Sequence, residues 1–204
     1  MINFEFVVFA NSFKNKFHCV AGKTTNNKKW IRPVSNKNGG ELSHEQIKYK
    51  NQYGIFSVKT LQIINLYLDE HVPLPNQPEN YLVSNKIWTQ NYRIESNEIF
   101  NYLDSPANLW GDGDRVSYDK IIKNYVSINQ SLYLVKVSNL VLYRSEDNKR
   151  RAIFTYNKVN YNLAVTDPNF DDILNKLNSI QSVLCISLGS NFQGNCFKLV
   201  AGIF

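Results

Sequence analysis

Apolar and polar positions alternate along much of the chain with the two-residue period that is typical of half-buried strands. In the first half of the chain this pattern predicts strands at residues 2–10, 17–22, 30–34 and 55–68. The polar stretch 11–16 predicts a turn, and the polar, basic stretch 23–29 predicts a loop. Pro33 cannot donate a ladder hydrogen bond, so its segment is expected to end a strand or to lie at a sheet edge.

The second half returns to strands after a loop at 104–119 that is rich in Gly, Asp and Pro. Strands are predicted at residues 131–143, 151–157, 159–166, 182–188 and 196–203. A helical period is clearest at 95–103, with Ser96 as its cap, and Asp167-Pro168 predicts a second helix that ends near Asn178. We therefore expect a mainly β fold with a few short helices.

Composition indicates a folded chain. Of its 204 residues, 43% are hydrophobic and 20% are charged, which argues against disorder. Twelve Tyr, twelve Phe and three Trp against one Met favour strand faces over a helical bundle. No apolar run approaches the ~18 residues of a membrane span, and the first ten residues lack the positive segment of a leader peptide. A cytoplasmic protein is expected.

The three cysteines are Cys19, Cys185 and Cys196, an odd number without CxxC spacing. The sequence therefore indicates neither a disulfide framework nor a zinc site, and we expect no cofactor and no metal. Each cysteine lies in an apolar run, where a buried free thiol is the usual outcome.

Positive charge is concentrated at the N-terminal end. Residues 1–60 contain ten Lys or Arg and three Asp or Glu, whereas the other 144 contain thirteen and fourteen. The whole net charge of +6 thus arises in the first part of the chain, which favours a polyanionic partner. The alternative is that the excess only confers solubility.

Two segments of the chain are similar to each other. Residues 17–22, Phe-His-Cys-Val-Ala-Gly, resemble residues 196–202, Cys-Phe-Lys-Leu-Val-Ala-Gly, and both follow a polar loop. Two similar strands at corresponding places would fit a duplicated β-barrel unit, so this echo favours two related halves.

A set of short motifs, in order along nearly the whole chain, carries a resemblance to a known family. The motifs are Asn11-Ser12 with Lys14, His18-Cys19-Val20-Ala21-Gly22, Trp30-Ile31-Arg32-Pro33-Val34, Glu79-Asn80, Leu109-Trp110, Val165-Thr166-Asp167-Pro168, Ser187-Leu188-Gly189 and Lys198-Leu199-Val200-Ala201. Together they resemble the bacterial dual OB-containing domain family. The resemblance implies two OB-like barrels, nucleic-acid binding, and occurrence near mobile-element and defence genes. It implies no catalytic residues.

Basic and aromatic residues are interleaved near the N-terminus, as they are in sites for single strands. Such sites need cations that follow the phosphates and flat rings on which bases stack. The candidates are Lys14, Lys16, Lys23, Lys28, Lys29 and Arg32, with Phe13, Phe17 and Trp30. Arg150 and Arg151, in a second basic cluster with Arg144 and Lys149, would extend the phosphate track. The alternative is inward-pointing rings and a solvated charged face.

The segment around Trp30 allows a more specific prediction. Residues two apart on an extended segment lie on the same face. Ile31 is therefore expected to face a barrel interior, which leaves Trp30 and Arg32 together on the outer surface as a stacking platform with a phosphate clamp. The competing arrangement buries Trp30 and exposes Ile31.

Catalytic motifs are scarce. His18 and Cys19 are adjacent on a strand and are expected to point to opposite faces. Asp112 and Asp114 lack the further ligands of a calcium loop, and Asp167 is best explained as a cap for a helix N-terminus. Phosphate-cradling Gly, HExxH and GxSxG motifs do not occur.

The sequence thus favours two OB-like barrels, at residues 1–110 with a basic face and at 111–204, acting as a non-enzymatic module that binds single-stranded DNA or RNA. The family resemblance adds a role in a bacterial defence or mobile-element system. One rival is a nucleotide-sensing or catalytic pocket between the barrels, formed around Lys14, His18, Arg32 and Asp167. Another is an adaptor whose basic face binds an acidic protein encoded nearby.

Overall fold

The computed structural model describes residues 1–14, 17–175 and 181–204. Its first sheet contains β1 (Ile2–Lys14), β2 (Phe17–Thr24), β3 (Trp30–Val34), β4 (Lys48–Asn51), β5 (Gly54–Ser57), β6 (Gln62–His71), β7 (Asn80–Val83) and β8 (Trp88–Arg93). The second contains β9 (Arg115–Ser117), β10 (Leu132–Arg144), β11 (Arg150–Tyr156), β12 (Val159–Val165), β13 (Gln181–Phe192) and β14 (Asn195–Ile203). The α-helices are α1 (Tyr118–Ile122) and α2 (Phe170–Leu174), and a 3-10 helix spans Ser96–Tyr102.

Each sheet closes into a five-stranded barrel. The first barrel has the order β1-β2-β3-β7-β6 and closes where β6 pairs with β1, while β8, β4 and β5 extend it from β6. The second has the order β10-β11-β12-β14-β13 and closes where β13 pairs with β10, with β9 added to β14. When the strands of each barrel are numbered from one to five, both orders are the same, and the third and fifth strands are parallel. The prediction of a mainly β fold with two OB-like barrels is confirmed.

The similarity between residues 17–22 and 196–202 does not reflect this duplication. The first segment lies in β2, the second strand of its barrel, and the second lies in β14, the fifth strand of the other. Both segments end in Ala-Gly, and in both places the glycine lets the backbone of another strand approach closely. A Cβ on Gly22 would lie 2.1 Å from the carbonyl oxygen of Val7, and one on Gly202 would lie 2.5 Å from that of Phe9. The expectation that the segments occupy corresponding places is therefore wrong.

Local predictions failed where backbone geometry interrupts a pattern. The strand predicted at 55–68 is two strands, because Leu61 has a φ of 68° and its N–H donates to the Val8 carbonyl. The helix predicted at 95–103 is a 3-10 helix capped by Glu95 rather than Ser96. The helix predicted after Pro168 begins at Phe170. Its predicted end reaches into residues 176–180, which lie outside the described residues.

One hydrophobic cluster is common to both barrels. Val7 and Phe9 of β1 belong to the same buried cluster as Leu132 and Leu134 of β10 and Cys185 of β13. The barrels therefore share a core, in addition to a private core within each. A boundary at residue 110 stays a prediction. Within the described parts of the chain, no helix is long and apolar enough to cross a membrane.

Candidate nucleic-acid interface

Asp104, in the segment between the sheets, accepts hydrogen bonds from both barrels. Its carboxylate receives Lys23 Nζ at 2.6 Å, Trp30 Nε1 at 3.1 Å and the N–H of Leu134 at 2.8 Å. Lys23 also donates to the carbonyl of Tyr102 at 2.7 Å. Burial lowers the pKa of Lys23, and the neighbouring Asp104 opposes that change. The expectation that Lys23 and Trp30 lie on a binding surface is wrong, because both are buried in this cluster.

Arg32 joins the barrels in a second buried cluster. Its Nε lies 3.4 Å from Glu79 Oε1, and its terminal nitrogen donates to Ser131 Oγ at 2.9 Å and to Ser187 Oγ at 3.1 Å. Ser131 donates its hydroxyl and its N–H to the Glu79 carboxylate. Because Arg32 and Glu79 belong to the first barrel and the serines to the second, this cluster connects the two barrels.

The buried state of β3 follows from what covers its two faces. Ile31 packs in the private core of the first barrel, as expected. The opposite face of the strand is covered by the second barrel, so Trp30 lies in the shared core and Arg32 in the polar cluster. The prediction that Trp30 and Arg32 share the face opposite to Ile31 was therefore correct, but the prediction that this face is exposed to solvent is wrong.

The other predicted cations are dispersed. Lys16 and the side chain of Lys14 lie outside the described residues. Lys28 places its Nζ 3.9 Å from the ring centroid of Tyr102, and Lys29 is exposed in the same turn. Arg150 pairs with Asp171 at 2.7 Å, as Arg144 does at 2.6 Å. Among the described side chains, Lys28 and Lys29 belong to the first barrel and Arg150 to the second, and the role of all these cations in binding stays a prediction.

A cavity of about 380 Å³, which we call the inter-barrel cleft, opens between the barrels. Its walls include Phe13, Arg32, Arg151, Phe192 and Lys198. In OB-folds, ligands commonly bind over the second and third strands and beside the loops that join strands one to two and four to five. The β1–β2 hairpin of the first barrel contributes to this cleft, and so do β11, β12 and the β13–β14 hairpin of the second. Ligand-binding elements from both barrels thus converge on one cleft.

Aromatic rings stand at both hairpins. Phe13 is half-exposed on β1, and Phe192 is 62% exposed on β13. Phe197 on β14 is partly buried and lies 4.5 Å beneath the Arg115 guanidinium. Sequence reasoning selected Phe13 but missed Phe192. The signal was available, because Phe192 directly precedes a tight Gln193-Gly194 turn, where an aromatic ring rarely finds a core.

His18 lines the cleft, and hydrogen bonds at both ring nitrogens hold its side chain in place. Asn11 Nδ2 donates to the Val58 carbonyl, so Asn11 Oδ1 must accept from His18 Nδ1 at 2.8 Å. His18 Nε2 then accepts the proton of His44 Nδ1, also at 2.8 Å. Burial, and secondarily His44, lowers the pKa of His18, which is therefore neutral at pH 7. Both ring nitrogens are engaged, so His18 cannot serve as a base for Cys19.

The cleft contains charges of both signs. Arg151 donates to the Asn162 side chain at 3.0 Å and to its carbonyl at 2.6 Å. Lys198 is almost fully buried and donates to the carbonyls of Gly111 and Asp112, and burial lowers its pKa to about 8. Asp114 and Glu41 supply the negative charges, and the hydrogen bond from Arg115 lowers the pKa of Asp114.

Two of the residues that were expected in a closed pocket, His18 and Arg32, line the cleft. Asp167 is absent from its walls, because its carboxylate accepts the N–H groups of Asn169 and Ile203 instead. Burial raises the pKa of Asp167. Among the described residues, no group of three or more His, Cys, Asp or Glu side chains could hold a metal ion.

Comparison with known proteins agrees with this architecture. The sequence matches the profile of a family described as the dual OB-containing domain over residues 4–203. Neither the curated proteins nor the solved structures gave a match. Because the family match covers nearly the whole chain, the protein belongs to the dual OB-containing domain family.

Proposed function

We propose that this OB-fold module binds single-stranded nucleic acid in the inter-barrel cleft. The observation that carries the proposal is the convergence of ligand-binding elements from both barrels, with an exposed ring on each contributing hairpin. Bases of any sequence can stack on such rings, and each stacked base contributes about 1–3 kcal/mol. A volume of about 380 Å³ lies within the range of small-ligand pockets.

The mixed charge of the cleft favours contacts with bases over contacts with many phosphates. Arg151 can donate to base acceptors or to one phosphate through the guanidinium N–H groups that Asn162 does not take, and the negative charges of Glu41 and Asp114 in the same cleft disfavour a run of phosphates. Base contacts give sequence preference, whereas phosphate contacts give affinity that is independent of sequence. The cleft is therefore proposed to distinguish among bases.

Fluorescence anisotropy with labelled single-stranded DNA, single-stranded RNA and duplexes tests the proposal. Phe192→Ala should weaken binding of single strands about 5- to 150-fold, the equivalent of one stacked base. Its melting temperature should stay within a few degrees, because the ring is mostly exposed. Tyr125→Ala is the control, since the Tyr125 ring is also mostly exposed but lies outside the cleft.

Binding of no nucleic acid at low salt would refute the proposed function. Equal affinities of Phe192→Ala and Tyr125→Ala would show that strands bind elsewhere on the protein. Tight binding of an acidic protein at the cleft, without affinity for nucleic acid, would favour the adaptor function.

A further inference from the structure

Two adjoining hollows lie apart from the inter-barrel cleft and share no lining residue with it. One, of about 500 Å³, lies between the barrels and is lined by Phe100 and by Lys136 of β10. The other, of about 460 Å³, lies where the β4–β5 turn meets β8 and is lined by Tyr53 and Tyr92. Arg93 lines both hollows, so the two hollows meet at this residue. We call the two hollows together the basic groove.

The rings of the basic groove are unusually accessible. Tyr53 is 79% exposed, Tyr92 is 72% exposed, and Phe100 is half-exposed. Tyr53 and Tyr92 belong to the β8-β4-β5 extension, which the second barrel does not have among its described strands. Exposed rings that line a surface without packing into a core are what stacking of bases requires, and here one such ring lines the first hollow and two line the second.

The charged residues that line the basic groove are cations, while the Glu5 carboxylate, which contacts the lining residue Asn91, is held by the side chains of Thr25 and Asn91. The cations of the groove are Arg93 and Lys136, and no Asp or Glu occurs among its described lining residues. Lys136 Nζ lies 5.8 Å from the ring centroid of Phe100, which places a cation beside a stacking ring. Glu98, on the neighbouring 3-10 helix, is held by the N–H of Glu95. The inter-barrel cleft, by contrast, contains Glu41 and Asp114. The basic groove is therefore complementary to a polyanion.

We propose that the basic groove is a second contact surface for single-stranded nucleic acid, where phosphates lie beside Arg93 and Lys136 and bases of any sequence stack on the exposed rings. The choice of nucleic acid as ligand rests on the proposed function, but the surface is distinct from the cleft. The two surfaces have different roles. The cleft distinguishes bases, and the groove contributes affinity that depends on salt concentration and not on sequence. A strand long enough to reach both surfaces gains from the high effective concentration of its second segment.

The test compares Arg93→Gln/Lys136→Gln with Lys120→Gln/Lys123→Gln, a control that also removes two exposed positive charges, at the end of α1. Dissociation constants for single strands of several sequences are measured from low to high salt. Loss of two phosphate contacts should make the log–log salt slope shallower by about 1.4, from ~0.7 per contact on a single strand. Affinity at 0.1 M salt should fall about 10- to 30-fold for every sequence. Phe192→Ala should instead leave the slope unchanged.

The outcomes separate this inference from the proposed function. If the groove variant has the same salt slope as Lys120→Gln/Lys123→Gln, the inference is overturned even when the cleft variant loses affinity. If the groove variant makes the salt slope shallower while Phe192→Ala leaves the affinity unchanged, the inference about the groove is supported and the proposed role of the cleft is refuted. Tyr53→Ala/Tyr92→Ala should weaken strand binding without changing mass in solution. Disruption of a dimer by this variant, or competition by a neutral oligosaccharide at the groove, would also overturn the inference.

Discussion

Substitution of Trp30 by Ala tests the central role of the shared core. The Trp30 ring is only 6% exposed, lies edge-on to Phe9 at 6.1 Å between centroids, and donates its indole N–H to Asp104. Truncation of a buried Trp costs about 3–5 kcal/mol, because it removes apolar contacts and leaves a cavity. We expect the upper part of this range, since Asp104 also loses a donor while remaining partly buried.

The expected loss of about 4–5 kcal/mol can be measured by urea unfolding and checked by thermal melting, both followed by circular dichroism. For a chain of this length, each kcal/mol lowers the melting temperature by about 2–4 °C, so a decrease of about 8–20 °C is expected. Trp30→Phe separates the two contributions. It retains much of the ring packing but removes the indole donor, and it should therefore cost only about 1–3 kcal/mol.

A different pattern would refute this reasoning. If Trp30→Ala left the free energy of unfolding unchanged while nucleic-acid affinity fell by about 1–3 kcal/mol, the ring would be an exposed stacking platform. The barrels would then not share the core that contains Phe9 and Leu134.

Two further predictions concern buried charges. Asp104→Asn should destabilise the protein by about 3–5 kcal/mol, because Lys23 is left buried without a countercharge. The double variant Lys23→Met/Asp104→Asn should recover part of that loss in urea unfolding, and strict additivity would contradict a direct coupling. For Lys198, the folded pKa of about 8 lies below the ordinary 10.5, so between these values the unfolded chain binds more protons. The free energy of unfolding, relative to that of Lys198→Met, should therefore rise with pH over this window. If the free energies of both proteins depended on pH in the same way, the lowered pKa of Lys198 would be refuted.

The hydrophobic pattern was sufficient for most strands of the second barrel and for the first strands of the chain. In β10, β11 and β12, buried residues largely alternate with more exposed ones, because one face of each strand faces the interior of its own barrel. The pattern failed in short strands such as β4, β7 and β8, where few residues alternate, and at Leu61, whose positive φ no pattern reveals. The family motifs were sufficient for the two-barrel architecture.

The candidate site was less predictable, because charge along the sequence does not report burial. Ten cations among the first sixty residues suggested a basic face, yet Lys23 and Arg32 are buried between the barrels. In the basic groove, Arg93 and Lys136, which are distant in sequence, line the same hollow. Such a pairing depends on how two barrels are placed against each other, and no local pattern carries that information.

The sequence by itself determined most of the longer strands, the face of β3 on which Ile31 lies, and, through the family motifs, that the chain contains two OB-like barrels. Only the tertiary structure decided what covers the other face of each strand. Trp30 and Arg32 share one face of β3, as the pleat requires, but the second barrel covers that face and turns an expected binding surface into a shared core. The physical reason is that the two-residue period specifies the orientation of a side chain relative to its own strand, whereas burial depends on long-range contacts between strands.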